Sequence, residues 1–118
     1  MNVADRVEIV RKTSIEAAVG WNRPIDLLFI DGDHTYEGVK KDWELFSPHV
    51  TKFGVVLFHD TIWEVGEIDP NYRRSDMGVP QFTDELRRAG YPVITLPKDC
   101  GLSMVQPTAG GVPLLAKG

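Results

Sequence analysis

Hydrophobic and polar positions alternate along this chain in a way that isolates two long apolar runs, each stopping abruptly at acidic and imidazole side chains. Ile25-Asp26-Leu27-Leu28-Phe29-Ile30 runs into Asp31-Gly32-Asp33-His34, and Val55-Val56-Leu57-Phe58 runs into His59-Asp60. Apart from Asp26, both runs are apolar and rich in β-branched or aromatic residues, as suits strands buried on both faces of a parallel sheet. Between them, Tyr36, Val39, Trp43 and Phe46 recur at helical spacing, which predicts a helix from Tyr36 to about His49 with one stripe facing the sheet. A strand–helix–strand crossover is right-handed and sets its strands parallel, so both polar clusters emerge at the same sheet edge. In open α/β sheets that carboxyl edge is where ligands bind.

The rest of the pattern is shorter. Val7-Glu8-Ile9-Val10 predicts a short strand, and Ser14 an N-cap for a short helix with Ile15, Ala18 and Val19 on its apolar face, ending near Gly20. Thr61 to Gly78 carries no clear period and leaves directly from the acidic edge, so it is expected to be a functional lid. On it, Trp63 would line a pocket, and Arg73 and Arg74 are surface charge unless they bind an anionic substrate group. Pro80 starts a helix with Val79, Phe82, Leu86 and Ala89 on one face and Gly90 as its stop. Tyr91 to Leu96 and Leu102 to Val105, joined by a short turn, predict an antiparallel hairpin at the sheet margin. The division expected is one α/β domain over 1–106 and a loose tail over 107–118.

Composition narrows the partners. A chain of 118 residues is one domain, and its net charge of −4 leaves no basic surface for a nucleic-acid backbone. The single cysteine, Cys100, excludes an intramolecular disulfide framework and fits a reducing, cytoplasmic compartment; it reads as a small buried hydrophobe near a strand start. Asp5, Arg6 and Glu8 do not make a signal peptide, and no apolar run approaches the roughly 20 residues that cross a membrane.

The candidate chemistry sits at the two strand ends. Asp31, His59 and Asp60 suit a divalent cation: carboxylates favour magnesium, and imidazole beside them also admits manganese, iron or zinc. Such an ion binds neighbouring substrate oxygens and lowers the pKa of a hydroxyl. Asp33 and His34, one step further out, are placed to accept its proton. The plainer reading is that these groups cap helices and bind turn amides, with Thr35 or Asp33 starting the following helix. Ser14 and Glu16 stand at the same edge, where a cap with a first-turn acid explains them.

The string from Ile25 through Asp31-Gly32-Asp33-His34-Thr35-Tyr36-Glu37-Gly38-Val39, then Asp42, Gly54 and Phe58-His59-Asp60-Thr61, resembles the class I S-adenosylmethionine-dependent methyltransferases. Within them it is most similar to the metal-dependent O-methyltransferase branch, which includes cephalosporin hydroxylase-like proteins. The similarity is strong from about Val7 to Thr61 and weaker to Val105. It implies a Rossmann-like sheet, mostly parallel, closed by a C-terminal antiparallel hairpin. It implies that Asp31, His59 and Asp60 hold the ion, that Asp33 or His34 is the general base, and that Asp31 and the Ser14 region bind S-adenosylmethionine. The acceptor implied is a hydroxylated small molecule.

Measured against that family, the sequence begins at what would be the third strand. The first strand, the glycine-rich cofactor loop and the acid that ends the second strand have no counterpart. That departure leaves the Ile25–Ile30 edge open, a pairing hazard with three remedies. Val7–Arg11 moves in beside it, two copies associate as a homodimer, or a missing N-terminal half covers it. Two other functions stand beside methyl transfer: an inactive remnant serving as an oligomerisation or interaction module, and a glycosyltransferase-like Asp-x-Asp metal site at Asp31 and Asp33.

Overall fold

The computed structural model describes residues 3–62, 78–109 and 112–113. The expected lid, with Trp63, Arg73 and Arg74, lies almost wholly outside them. One mixed sheet contains β1 (Ile25–Ile30), β2 (Val50–His59), β3 (Val93–Leu96) and β4 (Leu102–Val105), in the order β1-β2-β4-β3. β1 and β2 are parallel, and β4 is antiparallel to both β2 and β3. The expected crossover and closing hairpin are both present. Thr108–Ala109 and Val112–Pro113 form a separate two-residue ladder.

Among the described residues three helices accompany the sheet: α1 (Ser14–Ala18), α2 (Tyr36–Phe46) and α3 (Val79–Arg88). The apolar stripe of α2 buries Val39 and Trp43, and that of α3 buries Val79, Phe82 and Leu86. Pro48 ends the α-helical path of α2, and Ser47–His49 tightens into a 3-10 turn before β2. Trp43 is the centre of the core. Its ring stacks on Phe58 at 5.9 Å and meets Tyr91 and Phe82 edge-on at 5.3 and 6.1 Å. One side chain thereby ties α2 to β2, α3 and the entry to the hairpin, in the offset and edge-to-face geometries aromatic rings prefer.

Several expected elements differ. Val7–Val10 is not a strand: it pairs with nothing among the described residues, and Val7 and Ile9 are 66% and 76% exposed. A lone extended segment leaves its backbone groups to water and forms no ladder, so the free edge of β1 is not covered by it. The cap of α1 is Thr13, not Ser14. Thr13 Oγ1 accepts from the Glu16 amide at 3.2 Å and donates to the Glu16 carboxylate at 2.9 Å, a side-chain cap that leaves Ser14 as the first helical residue. β2 starts at Val50 rather than Val55, and its early pairing to β1 is irregular between Ile25 and Leu27. Thr51 donates to Asp26 there at 2.9 Å, which accounts for an acid inside an apolar strand. β3 starts after Pro92, which has no N–H for a ladder. Ala89 is exposed rather than on the packed face of α3. Cys100 is half-buried in the hairpin turn, at φ 67°.

Among the described residues the helices cover one face of the sheet. On the other, Leu27, Phe29, Ile94, Leu96 and Met104 are exposed. No helix among the described residues is long and apolar enough to cross a membrane.

Trp43→Ala is expected to lower the unfolding free energy by about 3–5 kcal/mol, as for other large aromatic truncations in cores. Urea unfolding followed by circular dichroism measures it. A loss under about 1 kcal/mol would remove Trp43 from the centre of the core.

Candidate active site

The register of the parallel pair sets the site. Ile30 lies opposite Phe58, so the residues that follow, Asp31 just past β1 and His59 at the end of β2, stand side by side. His59 Nδ1 stands 3.6 Å from Asp31 Oδ1 and 3.4 Å from Asp60 Oδ1. The other oxygen of Asp60, Oδ2, is 2.5 Å from His34 Nε2. Asp31, His34 and Asp60 each present a ligand atom within 4.8 Å of the others. The structure therefore brings together Asp31, His34, His59 and Asp60. Asp31 is the most exposed of them and Asp60 the most buried.

Asp60 reaches this position through an unusual backbone. Its φ of 63° lies in the left-handed region that few non-glycine residues adopt. The hairpin turn holds it there: the Asp60 amide donates to Gly101 at 3.0 Å and the Ile62 amide to Cys100 at 2.9 Å. Gly101, at φ 89°, has to be glycine, because a Cβ would come within 2.7 Å of both Thr61 Oγ1 and Ile62 Cγ1. Beneath the turn, buried Ser103 donates to Thr61 at 2.9 Å and shares a 2.8 Å hydrogen bond with Thr95. No local sequence signal marks this support, which depends on the hairpin folding back onto β2.

Asp33 behaves differently from its neighbours. Its Oδ1 accepts from the Thr35 amide at 2.9 Å, while Thr35 Oγ1 accepts from Gly38 at 3.1 Å as the N-cap of α2. Those bonds to Thr35 stabilise the ionised form and lower the Asp33 pKa below the usual carboxylate value. Asp33 thus builds the turn and is a weak proton acceptor. The same turn is tied to α3. Gly78 N donates to the His34 carbonyl at 2.6 Å, and the Tyr36 hydroxyl donates to the Glu85 carboxylate.

Beside Asp31 a groove of about 470 Å³ opens, lined by Ser14, Leu28, Phe29, Ile30, Asp31, Gly32, Asp42 and Phe46. Ser14, although not a cap, is thus in the same groove as Asp31. Asp42 joins them as an acid that the stripe of α2 does not account for.

The donor set fits a divalent cation in chemistry and size. Ligand atoms around a hard ion at about 2.1 Å stand roughly 3 Å apart when adjacent. Asp31, His34 and Asp60 are the group whose ligand atoms lie together, and His59 Nδ1 stands beside both carboxylates. Asp60 can serve both purposes, because Oδ2 holds His34 and Oδ1 faces His59.

A family model described as a methyltransferase domain matches residues 1–61, just over half of the chain. The chain belongs to that methyltransferase-domain family. Protein y4gI of Sinorhizobium fredii is 37% identical over 98 residues, which is 82% of this chain and 10% of that protein. A putative caffeoyl-CoA O-methyltransferase from Staphylococcus aureus has the same fold, with a TM-score of 0.66 and 22% identity over 86% of this chain and 51% of that one. An SAH-bound methyltransferase from Podospora anserina gives a TM-score of 0.57 and 16% identity, covering 80% of this chain and 46% of that one. This methyltransferase-domain chain spans about half the length of those solved structures and a tenth of the curated relative.

Asp33 should titrate below the peptide value of 3.8. Because its folded pKa is depressed, its contribution to stability is present above the unfolded pKa and is lost as pH falls through the folded one. Asp33→Asn should therefore flatten part of the acid-side fall in melting temperature. Carboxyl-carbon NMR titration together with melts between about pH 2 and 5 tests this. A midpoint at or above the peptide value means the Asp33–Thr35 turn is not formed.

Proposed function

We propose that this chain carries the ion- and acceptor-binding part of an S-adenosylmethionine-dependent O-methyltransferase acting on a hydroxylated small molecule. The observation that carries this reading is the convergence of Asp31, His34, His59 and Asp60 at one sheet edge, in a chain of the methyltransferase-domain family. Asp31, His59 and Asp60 would hold the ion through Oδ1, Nδ1 and Oδ1. When bound, a divalent cation such as magnesium supplies Lewis acidity that lowers the pKa of an acceptor hydroxyl. The groove holding Ser14, Asp31 and Asp42 is assigned to S-adenosylmethionine, a use supported by the SAH-bound neighbour of the same fold.

His34 is the better candidate base than Asp33. An ionised carboxylate only accepts hydrogen bonds, so the short contact to Asp60 Oδ2 places the imidazole proton on Nε2. The lone pair is then on Nδ1, which takes the hydroxyl proton while Asp60 stabilises the imidazolium that results. S-adenosylmethionine would supply the methyl group, and the part of the protein in its transfer would chiefly be positioning. A second reading is a non-catalytic interaction module.

Calorimetric titration of S-adenosylmethionine, with and without magnesium, separates the two. Micromolar binding that Asp31→Ala abolishes supports the enzyme; no binding to folded protein supports the module. Manganese titration then divides the histidines. His34→Ala, which removes the partner that orients Asp60, should weaken the ion by roughly tenfold, and His59→Ala, which removes a ligand, should weaken it further. The reverse order would exchange their roles.

A further inference from the structure

Side-chain parity breaks at one point beside the site. Phe58 on β2 and Thr95 on β3 both lie directly opposite Ser103 on β4, so the three side chains share one face of the sheet. It is the helix-covered face, where Phe58 meets Trp43 of α2 and Phe82 of α3. Continued past His59, the alternation of a strand sends Thr61 to the opposite face. Thr61 Oγ1 nevertheless accepts from Ser103 Oγ at 2.9 Å. The residue between them in the count is Asp60, and its φ of 63° is where the chain turns over and brings Thr61 inward.

That bond ends a directed chain. Arg87 of α3 has only donors, and its Nη2 gives a proton to Thr95 Oγ1 at 3.2 Å. Ser103 gives its single proton to Thr61, so Thr95 is the donor in the 2.8 Å bond between Thr95 and Ser103. Ser103 is fully buried, in the same layer as Phe58 and Val105, where a hydroxyl is unfavourable unless it is hydrogen-bonded. An alanine would fill the position without that requirement, so what the hydroxyl adds is direction.

We propose that Ser103 and Thr61 are positioning residues for Asp60. Their hydrogen bond forms when Asp60 is left-handed, and a bond that one conformation alone can make shifts the population toward that conformation. It thereby selects the backbone from which Oδ1 faces His59 and Oδ2 faces His34. Its importance to an ion rests on the reading of Asp60 as a ligand; its hold on the backbone does not.

The test compares Ser103→Ala, which removes one oxygen and no carbon, with Thr61→Val, an isostere lacking the hydroxyl, and Thr61→Ser, which retains it. At positive φ a residue's amide hydrogen lies close to its own Hα, so the nuclear Overhauser effect between them reports the Asp60 backbone with no ion added. The effect should be strong in the wild type and Thr61→Ser, and weak in Ser103→Ala and Thr61→Val. Manganese alone, followed by electron paramagnetic resonance, should bind the first two alike and the other two roughly tenfold more weakly. The double variant Ser103→Ala, Thr61→Val removes both partners, so its melting temperature should lie nearer the wild type than that of Thr61→Val. Its Asp60 signal and manganese affinity should still match the hydroxyl-free variants, whereas a role in stability alone would restore them. A weak Asp60 effect in the wild type, or a strong one in folded Ser103→Ala and Thr61→Val, overturns the proposal. Should Thr61→Val not fold, Ser103→Ala decides by the same signal. A wild type that binds no manganese overturns the ion reading and leaves the backbone signal to decide the positioning role.

Discussion

The parallel register of β1 on β2 is the constraint on which everything else rests. With Ile30 opposite Phe58, the inward residues of both strands face α2 and α3, and Asp31 meets the last residue of β2, His59. A slip of one residue would turn each inward side chain outward, because side chains alternate with a period of two. Phe58 would then leave Trp43, and His59 would lose Asp31. Core and site are therefore specified by one ladder.

The site is supported from three directions, each using a different interaction. Aromatic packing around Trp43 fixes α2 against the sheet. Hydrogen bonds from the amides of Thr35 to Asp33, Gly38 to Thr35 and Gly78 to His34 fix the start of α2, and with it His34. The Tyr36 hydroxyl donates to Glu85, and that bond to an acid, aided by burial, raises the phenol pKa to about 12. It therefore remains a donor throughout the neutral range and clasps α2 to α3. The hairpin turn supplies the third support by holding Asp60.

Strong periodicity made most of the fold legible. The stripe of Tyr36, Val39, Trp43 and Phe46, the apolar runs ending at Asp31 and His59, and the closing hairpin all follow from spacing alone. What spacing could not show depends on partners distant in sequence. Val7–Val10 has strand composition but no neighbour to pair with. The first half of β2 was hidden because Thr51, Lys52 and Phe53 break the apolar pattern while their backbone still follows β1. Thr13 was passed over for Ser14, although Glu16, three residues later, meets the Thr13 hydroxyl with both its amide and its carboxylate. At the site, residue types and strand ends pointed to Asp31, His34, His59 and Asp60. The division of Asp60 between two histidines was not readable, because it requires a left-handed backbone imposed by Gly101. The turn role of Asp33 was visible as an alternative, and the Thr35 amide decides it.

That dependence of Asp60 on Gly101 has a temporal side. A chain made from its N-terminus produces β1, α2 and β2 well before the hairpin turn, and domains take shape as their parts emerge. Until Gly101 and Cys100 arrive to accept the Asp60 and Ile62 amides, nothing compensates the strained φ of Asp60, and its carboxylate has no fixed direction. The acidic residues are thus present early but acquire a shared geometry late. A nascent chain stalled before the hairpin would carry every side chain of the site and no site.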